Sequence, residues 1–307
     1  MVRGHGRYGT TMGHRRARDR WGFPPSVMVT GATSGIGRTV ALHLARGGYQ
    51  VVATARTAAK AHGLQDDARK AGVVIDTVVL DVADALSCEH AVEEALHLAH
   101  GRLTALVNNA GTAIGAALED SGDDEARELF EVNLFGPLRL ARLVLPGMRA
   151  QRYGRIINIS SVAGRVPVPL LGLYSASKSA LESSTEVLRM ECAGWGVHAV
   201  VVAPGSFATG IWERGFSTIT GIGESPYSPG YRRASRLVSA TSRLPEPRPV
   251  ARTVERVLRA RRPRARYLAG LDCRIECLME RAAPRVVTDF AKRALTGLRA
   301  VPGREAP

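Results

Sequence analysis

Tyr174 and Lys178 stand one helical turn apart in Tyr174-Ser-Ala-Ser-Lys178, so a phenol and an ammonium share a face and can share a proton. A free tyrosine titrates near ~10; an adjacent cation favours the phenolate and moves it toward a value useful at neutral pH. The chemistry on offer is proton transfer to or from an oxygen. The bland alternative is a solvated helix face. A second feature is a glycine turn: Gly31, Gly35 and Gly37 follow the apolar run Val27-Met-Val-Thr30 and precede a helical pattern at Val40, Leu42, Leu44 and Ala45. Strand, glycine turn, helix lets backbone approach a pyrophosphate, whose charge then sits at a helix N-terminus. The spacing is not Gly-x-Gly-x-x-Gly, and a plain tight turn is the competing reading.

A third feature marks the end of the next strand, Gln50 to Thr54, where Ala55-Arg56 stands. In dinucleotide folds an acid here receives the ribose hydroxyls of NAD, whereas an arginine suits the extra phosphate of NADP. The acid is absent, so NADP(H) is expected, with Ser34 as a helper.

These residues must be positioned by alternating strands and helices. Val73 to Leu80 reads as a buried strand ending in Asp81-Val82, placed to meet an adenine edge; a helix follows from about Asp84 to His100. Leu103 to Val107 runs into Asn108-Asn109-Ala110-Gly111, whose amides either tie neighbouring strands together or touch cofactor. A long helix is expected from Asp123 to Gln151, containing Asn133, then a strand from Arg155 to Ile159 with Ser160-Ser161 at its end. His198 to Val202 is the sixth strand, closed by Pro204-Gly205, and Tyr267-Leu-Ala a seventh. The fold class is α/β, a Rossmann-type, doubly wound parallel sheet of about seven strands in a single domain with a C-terminal helical extension. Every chemical residue falls at a strand's carboxyl end, where such sheets bind ligands.

Three parts are expected: a flexible basic tail over 1–25, the dinucleotide-binding and catalytic domain over 26–270, and an amphipathic extension over 271–307. The 307 residues carry a net charge of +14, but it belongs to the ends. Residues 1–25 hold six arginines against Asp19, and residues 232–307 hold nineteen basic residues against seven acids, which leaves the middle slightly negative. Nucleic-acid binding is therefore not expected. Four scattered cysteines make no disulfide framework, and Cys273 and Cys277 read as paired core thiols without a His to complete a metal set. A reducing, cytoplasmic setting follows. Arg15-Arg16 lacks the apolar stretch of an export signal, because Val27 to Val29 is already a strand.

Taken together, Thr30 to Gly37, Asn108 to Gly111, Asn133, Ser161, Tyr174-x-x-x-Lys178 and Pro204-Gly205 resemble the short-chain dehydrogenase/reductase family in order and spacing, over about residues 25–210. Ala55-Arg56 and the long tail after residue 210 are similar to the branch containing 17β-hydroxysteroid and retinol dehydrogenases. The resemblance implies that Tyr174 exchanges a proton with the alcohol oxygen while Ser161, rather than Ser160, polarises the carbonyl. It implies that Lys178 binds the nicotinamide ribose and lowers the tyrosine pKa, and that Asn133 holds a water linking Lys178 to solvent. It also implies cofactor contacts at Gly31, Thr33, Ser34, Gly35, Ile36, Gly37, Arg56, Asp81, Val82, Asn109, Ala110, Gly111, Pro204, Gly205, Phe207 and Thr209. No metal is required, and a homodimer or homotetramer is expected. The alternative is a non-catalytic NADP(H) sensor or scaffold, which would have lost Tyr174, Lys178 or Ser161.

Residues 206–248, rich in Gly, Pro and Ser, read as a long substrate loop carrying Phe207, Trp212, Phe216, Tyr227 and Tyr231. With Val166, Val168, Leu170 and Leu171 they could wall an apolar pocket for a bulky, lipophilic alcohol or ketone; the alternative is that the aromatics only pin the loop. Beyond it, Ile275, Leu278 and Met279, then Val286, Val287, Phe290, Ala294 and Leu295, give two apolar helix faces among arginines. Packing on the same chain is the default, with another subunit or a membrane surface as alternatives.

Overall fold

The computed structural model describes residues 24–217, 224–239 and 241–298. Nearly all of the expected basic tail, the tip of the substrate loop and the last nine residues of the extension lie outside them.

Seven strands form one parallel sheet: β1 Ser26–Val29, β2 Gln50–Ala55, β3 Asp76–Val79, β4 Ala105–Asn108, β5 Gly154–Ile159, β6 Val197–Pro204 and β7 Arg266–Ala269. Their order is β3-β2-β1-β4-β5-β6-β7. The chain therefore reverses direction across the sheet between β1 and β4, the switch point where a crevice opens beyond the strand ends. The helices are α1 Gly35–Arg46, α2 Ala58–Lys70, α3 Ala85–Leu98, α4 Asp123–Phe130, α5 Gly136–Ala150, α6 Gly172–Glu191, α7 Ile211–Ser217, α8 Ser228–Ser239, α9 Arg248–Arg259, α10 Asp272–Ala282 and α11 Arg285–Thr296.

The sequence explains the layering. Val27, Met28 and Val29 are fully buried because a central parallel strand is covered on both faces, so its residues are apolar without alternation. Val27 and Val29 join Leu44 of α1 and Val254 of α9 in one core layer, whereas Met28 joins Val92 of α3 and Leu140 of α5 in the other. Each such side chain contributes roughly 1.5–3 kcal/mol by leaving water. Helix starts follow local chemistry: Thr57 accepts from the Lys60 amide at 3.3 Å ahead of α2, and Asp84 from the Ser87 amide at 3.0 Å ahead of α3.

Four expectations need correction. The buried strand expected over Val73 to Leu80 is a shorter, half-exposed edge strand at Asp76–Val79, with Val74 84% and Val79 47% exposed, because no described strand pairs beyond it in the sheet. The helix expected from Asp123 to Gln151 is interrupted at Glu131–Phe135 by a wider π-turn, which carries Asn133. The described residues of 206–248 are not a plain loop but contain α7, α8 and a short 3₁₀ turn at Thr241–Arg243. Tyr227, Tyr231 and Ala234, spaced by four and three, are the helical signal that the surrounding Gly, Pro and Ser obscure. Finally, the apolar faces of α10 and α11 do not pack on the rest of the chain among the described residues: Leu278 is 66% exposed and Phe290 69%. Cys273 is buried and Cys277 half-buried on α10, both as free thiols.

Candidate active site

The glycine turn is built by close approach. Gly31 has φ +62°, and a Cβ there would lie 2.8 Å from the Ala110 Cα, so only glycine lets the turn touch the end of β4. Thr30 holds that junction: its Oγ1 accepts from the amides of Asn109 and Ala110, each at 2.9 Å. The Asn109 side chain donates to the carbonyls of Thr30 and Gly31 at 2.9 and 3.1 Å. The neighbouring Asn108 donates to Asn158 at 2.8 Å and thereby ties β4 to β5. The two amides thus divide the two expected roles, since Asn109 also lines the crevice and Asn108 does not.

Beyond the strand ends lies a cavity of about 350 Å³. It is lined by Gly31, Thr33, Ser34, Gly35, Ile36, Arg56, Asp81, Val82, Asn109, Ala110 and Gly111 together with Ser161, Tyr174, Lys178, Pro204, Gly205, Phe207 and Thr209. Of the expected site residues, Gly37 and Asn133 do not line it. Gly37 serves packing instead: a Cβ there would sit 2.3 Å from the Gly31 carbonyl oxygen and 2.4 Å from Asn109 Nδ2. Asn133 clamps the loop after β4, accepting from the Thr112 amide and donating to the Thr112 carbonyl, both at 2.9 Å, and donating to Ser177 Oγ at 3.0 Å. It still stands behind the site, because a Cβ on Gly111 would lie 3.2 Å from Asn133 Oδ1 and 3.5 Å from Lys178 Nζ.

The acid–base pair sits on α6. Both side chains are buried at 4% exposure, with the Lys178 ammonium over the Tyr174 ring, 5.8 Å from its centroid. Lys178 Nζ donates to the Ile159 carbonyl at 3.2 Å. Burial pushes the Tyr174 phenol up to about 12, and a hydrogen bond offered by Ser161 works against that shift. Burial pushes the Lys178 ammonium down to about 8, with the Glu182 carboxylate opposing it. Loss of hydration is the largest influence on the phenol and decides the direction of its shift.

Ser160 and Ser161 separate by partner. Ser160 donates to Glu182 at 2.9 Å and is thereby committed to structure. Ser161 accepts from the Ala163 amide at 3.2 Å, capping a 3₁₀ turn, while its hydroxyl faces the phenol.

Several residues escaped sequence reasoning. Glu182, 5% exposed, binds Ser160, Arg165 at 3.2 Å and Arg266 of β7. Its position four residues after Lys178 was a readable signal; that Arg266 would reach it was not. Trp212 of α7 was expected at the pocket, but not its edge-on stacking against Tyr174, with centroids 5.1 Å apart. Lys60 joins Arg56 at the cavity wall, and neither side chain pairs with an acid among the described residues. Trp212 and Phe207 line the cavity as expected, but Val166, Val168, Leu170 and Leu171 do not. Phe216, Tyr227 and Tyr231 instead cluster with Ala117 and Leu170, and Tyr231 donates to Asp120 at 2.6 Å, so these three aromatics pin the segment.

The crevice fits a nicotinamide dinucleotide. Ser34 caps α1 without a side-chain bond to its amides, and no acid occupies the first turn, so the helix start is free for phosphate. Arg56 and Lys60, without acidic partners among the described residues, line the same crevice as Ser161, Tyr174 and Lys178. Among the described residues no cluster of side chains could hold a metal ion.

Comparison with known proteins agrees with this geometry. The pattern of the family described as short chain dehydrogenase matches residues 25–219. The chain is 33% identical over 249 residues to 3-ketodihydrosphingosine reductase from Bacteroides thetaiotaomicron, covering 80% of this chain and 88% of that protein. It is 33% identical over 291 residues to human retinol dehydrogenase 5, covering 89% and 90%. Among solved structures, a short-chain dehydrogenase/reductase from Burkholderia phymatum in complex with NAD superposes with a TM-score of 0.72 at 27% identity, covering 84% of this chain and 92% of that one. A metagenomic short-chain oxidoreductase in complex with NADP superposes with a TM-score of 0.64 at 29% identity, covering 80% and 97%.

Proposed function

The chain belongs to the short-chain dehydrogenase family and is an oxidoreductase, and from that premise we propose that it interconverts a bulky, lipophilic alcohol and its carbonyl compound with NADP(H). The observation that carries the reading is the convergence of Ser161, Tyr174 and Lys178 on the same crevice as the glycine turn and the unpaired Arg56 and Lys60.

Bound NADP(H) would supply or accept the hydride. The chain's own residues do the rest. Gly31, Gly35 and the start of α1 receive the pyrophosphate, while Arg56 and Lys60 favour a further phosphate on the adenosine ribose through charge-assisted bonds. Ser161 donates a hydrogen bond to the substrate oxygen, and Tyr174 transfers a proton to it. With its phenol pushed up to about 12, Tyr174 is protonated at neutral pH in the ligand-free chain, the form that a carbonyl reduction consumes. Lys178, whose ammonium lies over the Tyr174 ring and lines the crevice, would hold the nicotinamide ribose. Asn133 fixes the loop that forms the floor between them. Support for the substrate class comes from Trp212 and Phe207 at the cavity and from relatives named for retinol and ketodihydrosphingosine.

The test is a panel of steroid, retinoid, long-chain and aromatic carbonyls and alcohols, assayed with NADPH, NADP, NADH and NAD beside Tyr174→Phe. Turnover with NADP(H) that drops by about 10²–10⁴ in the variant, with NADPH binding retained, is the expected result. Equal inertness of both proteins while NADPH still binds would overturn catalysis, and a clear preference for NAD(H) would overturn the reading of Arg56.

A further inference from the structure

The helical pair α10 and α11 is amphipathic in the wrong sense for a core. On α11 the inward side carries Thr288, Thr296 and Lys292, whose ammonium pairs with Glu280 of α10 at 2.8 Å. The outward side carries Val286, Val287, Phe290 and Leu295, each between 52% and 77% exposed. On α10 the outward stripe, at spacings of three and four, is Leu271, Ile275, Leu278 and Met279, each at least 50% exposed. A helix pair that holds itself together by polar groups and presents its apolar side to solvent is built to meet something apolar.

The charges say what. Arg274, Arg281, Arg285 and Arg293 are exposed along these helices. Of the acids, Glu280 is spent on Lys292, Asp272 accepts from the Ser206 amide at 2.6 Å, Glu276 is partly buried, and Asp289 alone is exposed. A second copy brought face to face would oppose arginine to arginine. An apolar face edged with cations is complementary to a bilayer surface carrying anionic headgroups.

We propose that the outer faces of α10 and α11 dock on an anionic lipid bilayer, lying in its surface. No described helix is long and apolar enough to cross a membrane, so the contact is interfacial. The pair is also tied to the crevice, since the Ser206 amide held by Asp272 follows Gly205, which lines it. This surface does not depend on the substrate class, because it would bind lipid in a catalytically dead protein.

The experiment is cosedimentation of the full chain with vesicles of phosphatidylcholine alone and of phosphatidylcholine with phosphatidylglycerol, at low and high salt. Wild type should bind the anionic vesicles and lose binding as salt rises. Leu278→Ser with Phe290→Ser should weaken it by about ten-fold or more, and Arg281→Gln with Arg293→Gln by roughly 30-fold. All four positions are exposed, so both variants should keep the wild-type melting temperature and NADPH affinity. The proposal is overturned if wild type does not bind anionic vesicles, or if both double variants bind as well as wild type, which would assign the attraction to the basic termini. It is equally overturned if wild type sediments as an oligomer that the Leu278→Ser, Phe290→Ser variant converts to monomer, since the face would then belong to a second copy.

Discussion

Replacing Lys178 with Met tests whether the ammonium at the centre of the site is held without water. In the folded, ligand-free chain burial takes Lys178 from its ordinary 10.5 down to about 8. A depressed folded value contributes stability that is present above the unfolded pKa and lost as pH falls through the folded one. The unfolded chain binds the proton between about pH 8 and 10.5 while the folded chain has released it, so stability rises with pH across that window. A lowering of this size corresponds to about 3 kcal/mol in full, at ~1.4 kcal/mol per unit. The Tyr174 phenol acts oppositely but later, because its folded value near 12 makes its contribution fade only above 10. The clean interval is therefore pH 8 to 10, over which the stability of wild type should rise by about 2–3 kcal/mol relative to Lys178→Met. Urea unfolding of both ligand-free proteins at stepped pH measures this directly. A difference that stays flat from pH 8 to 10 would refute the burial of a charged Lys178 and the account of its poise.

Two further outcomes follow from the cofactor side. Arg56→Ala removes one of two unpaired cations at the end of β2 and should weaken NADPH binding by about 10- to 100-fold while leaving NADH nearly unchanged, as titration calorimetry would read. Equal losses for both dinucleotides would show that Arg56 does not discriminate. Gly37→Ala places a methyl 2.3 Å from a backbone oxygen and 2.4 Å from an amide that cannot swing away without releasing the Gly31 turn. It should destabilise the fold by about 1–3 kcal/mol and weaken dinucleotide binding, and unfolding at the wild-type midpoint would contradict the packing role.

What could be read in the chain beforehand was whatever depends on short-range pattern. The five inner strands were legible because a parallel strand buried on both faces must be an apolar run, whereas the edge strands β3 and β7 are only partly buried and carry polar residues. The placement of Tyr174 over Lys178 was legible because helical spacing alone fixes it. Their titration was not, since it follows depth of burial, to which Trp212 of α7, far along the chain, contributes at Tyr174. Asn133 was read into a continuous helix because a π-turn adds one residue without altering composition. Residues 206–248 hid two helices because their Gly, Pro and Ser signal breaks locally, whereas Tyr231 is held by a hydrogen bond to Asp120 more than a hundred residues away. The inverted helices α10 and α11 show the same limit: periodicity reveals that a face is apolar, not which way it turns.

The family pattern stops at residue 219, yet the charge around the site does not balance there. Glu182 is an almost fully buried carboxylate one turn beyond Lys178, and an unpaired charge at that depth would cost several kcal/mol. Arg165, from the loop after β5, meets it from one side, but its side chain is 54% exposed and well screened. The buried partner is Arg266, 21% exposed, which arrives on β7 only after α9 has crossed back over the sheet. Ser160 completes the set, which is why Ser161 remains free to face the phenol. The cluster brings Lys178, Arg165 and Arg266 against one carboxylate. The last strand thus supplies the counter-charge that lets Glu182 be buried one turn beyond Lys178, although no residue of it lines the crevice.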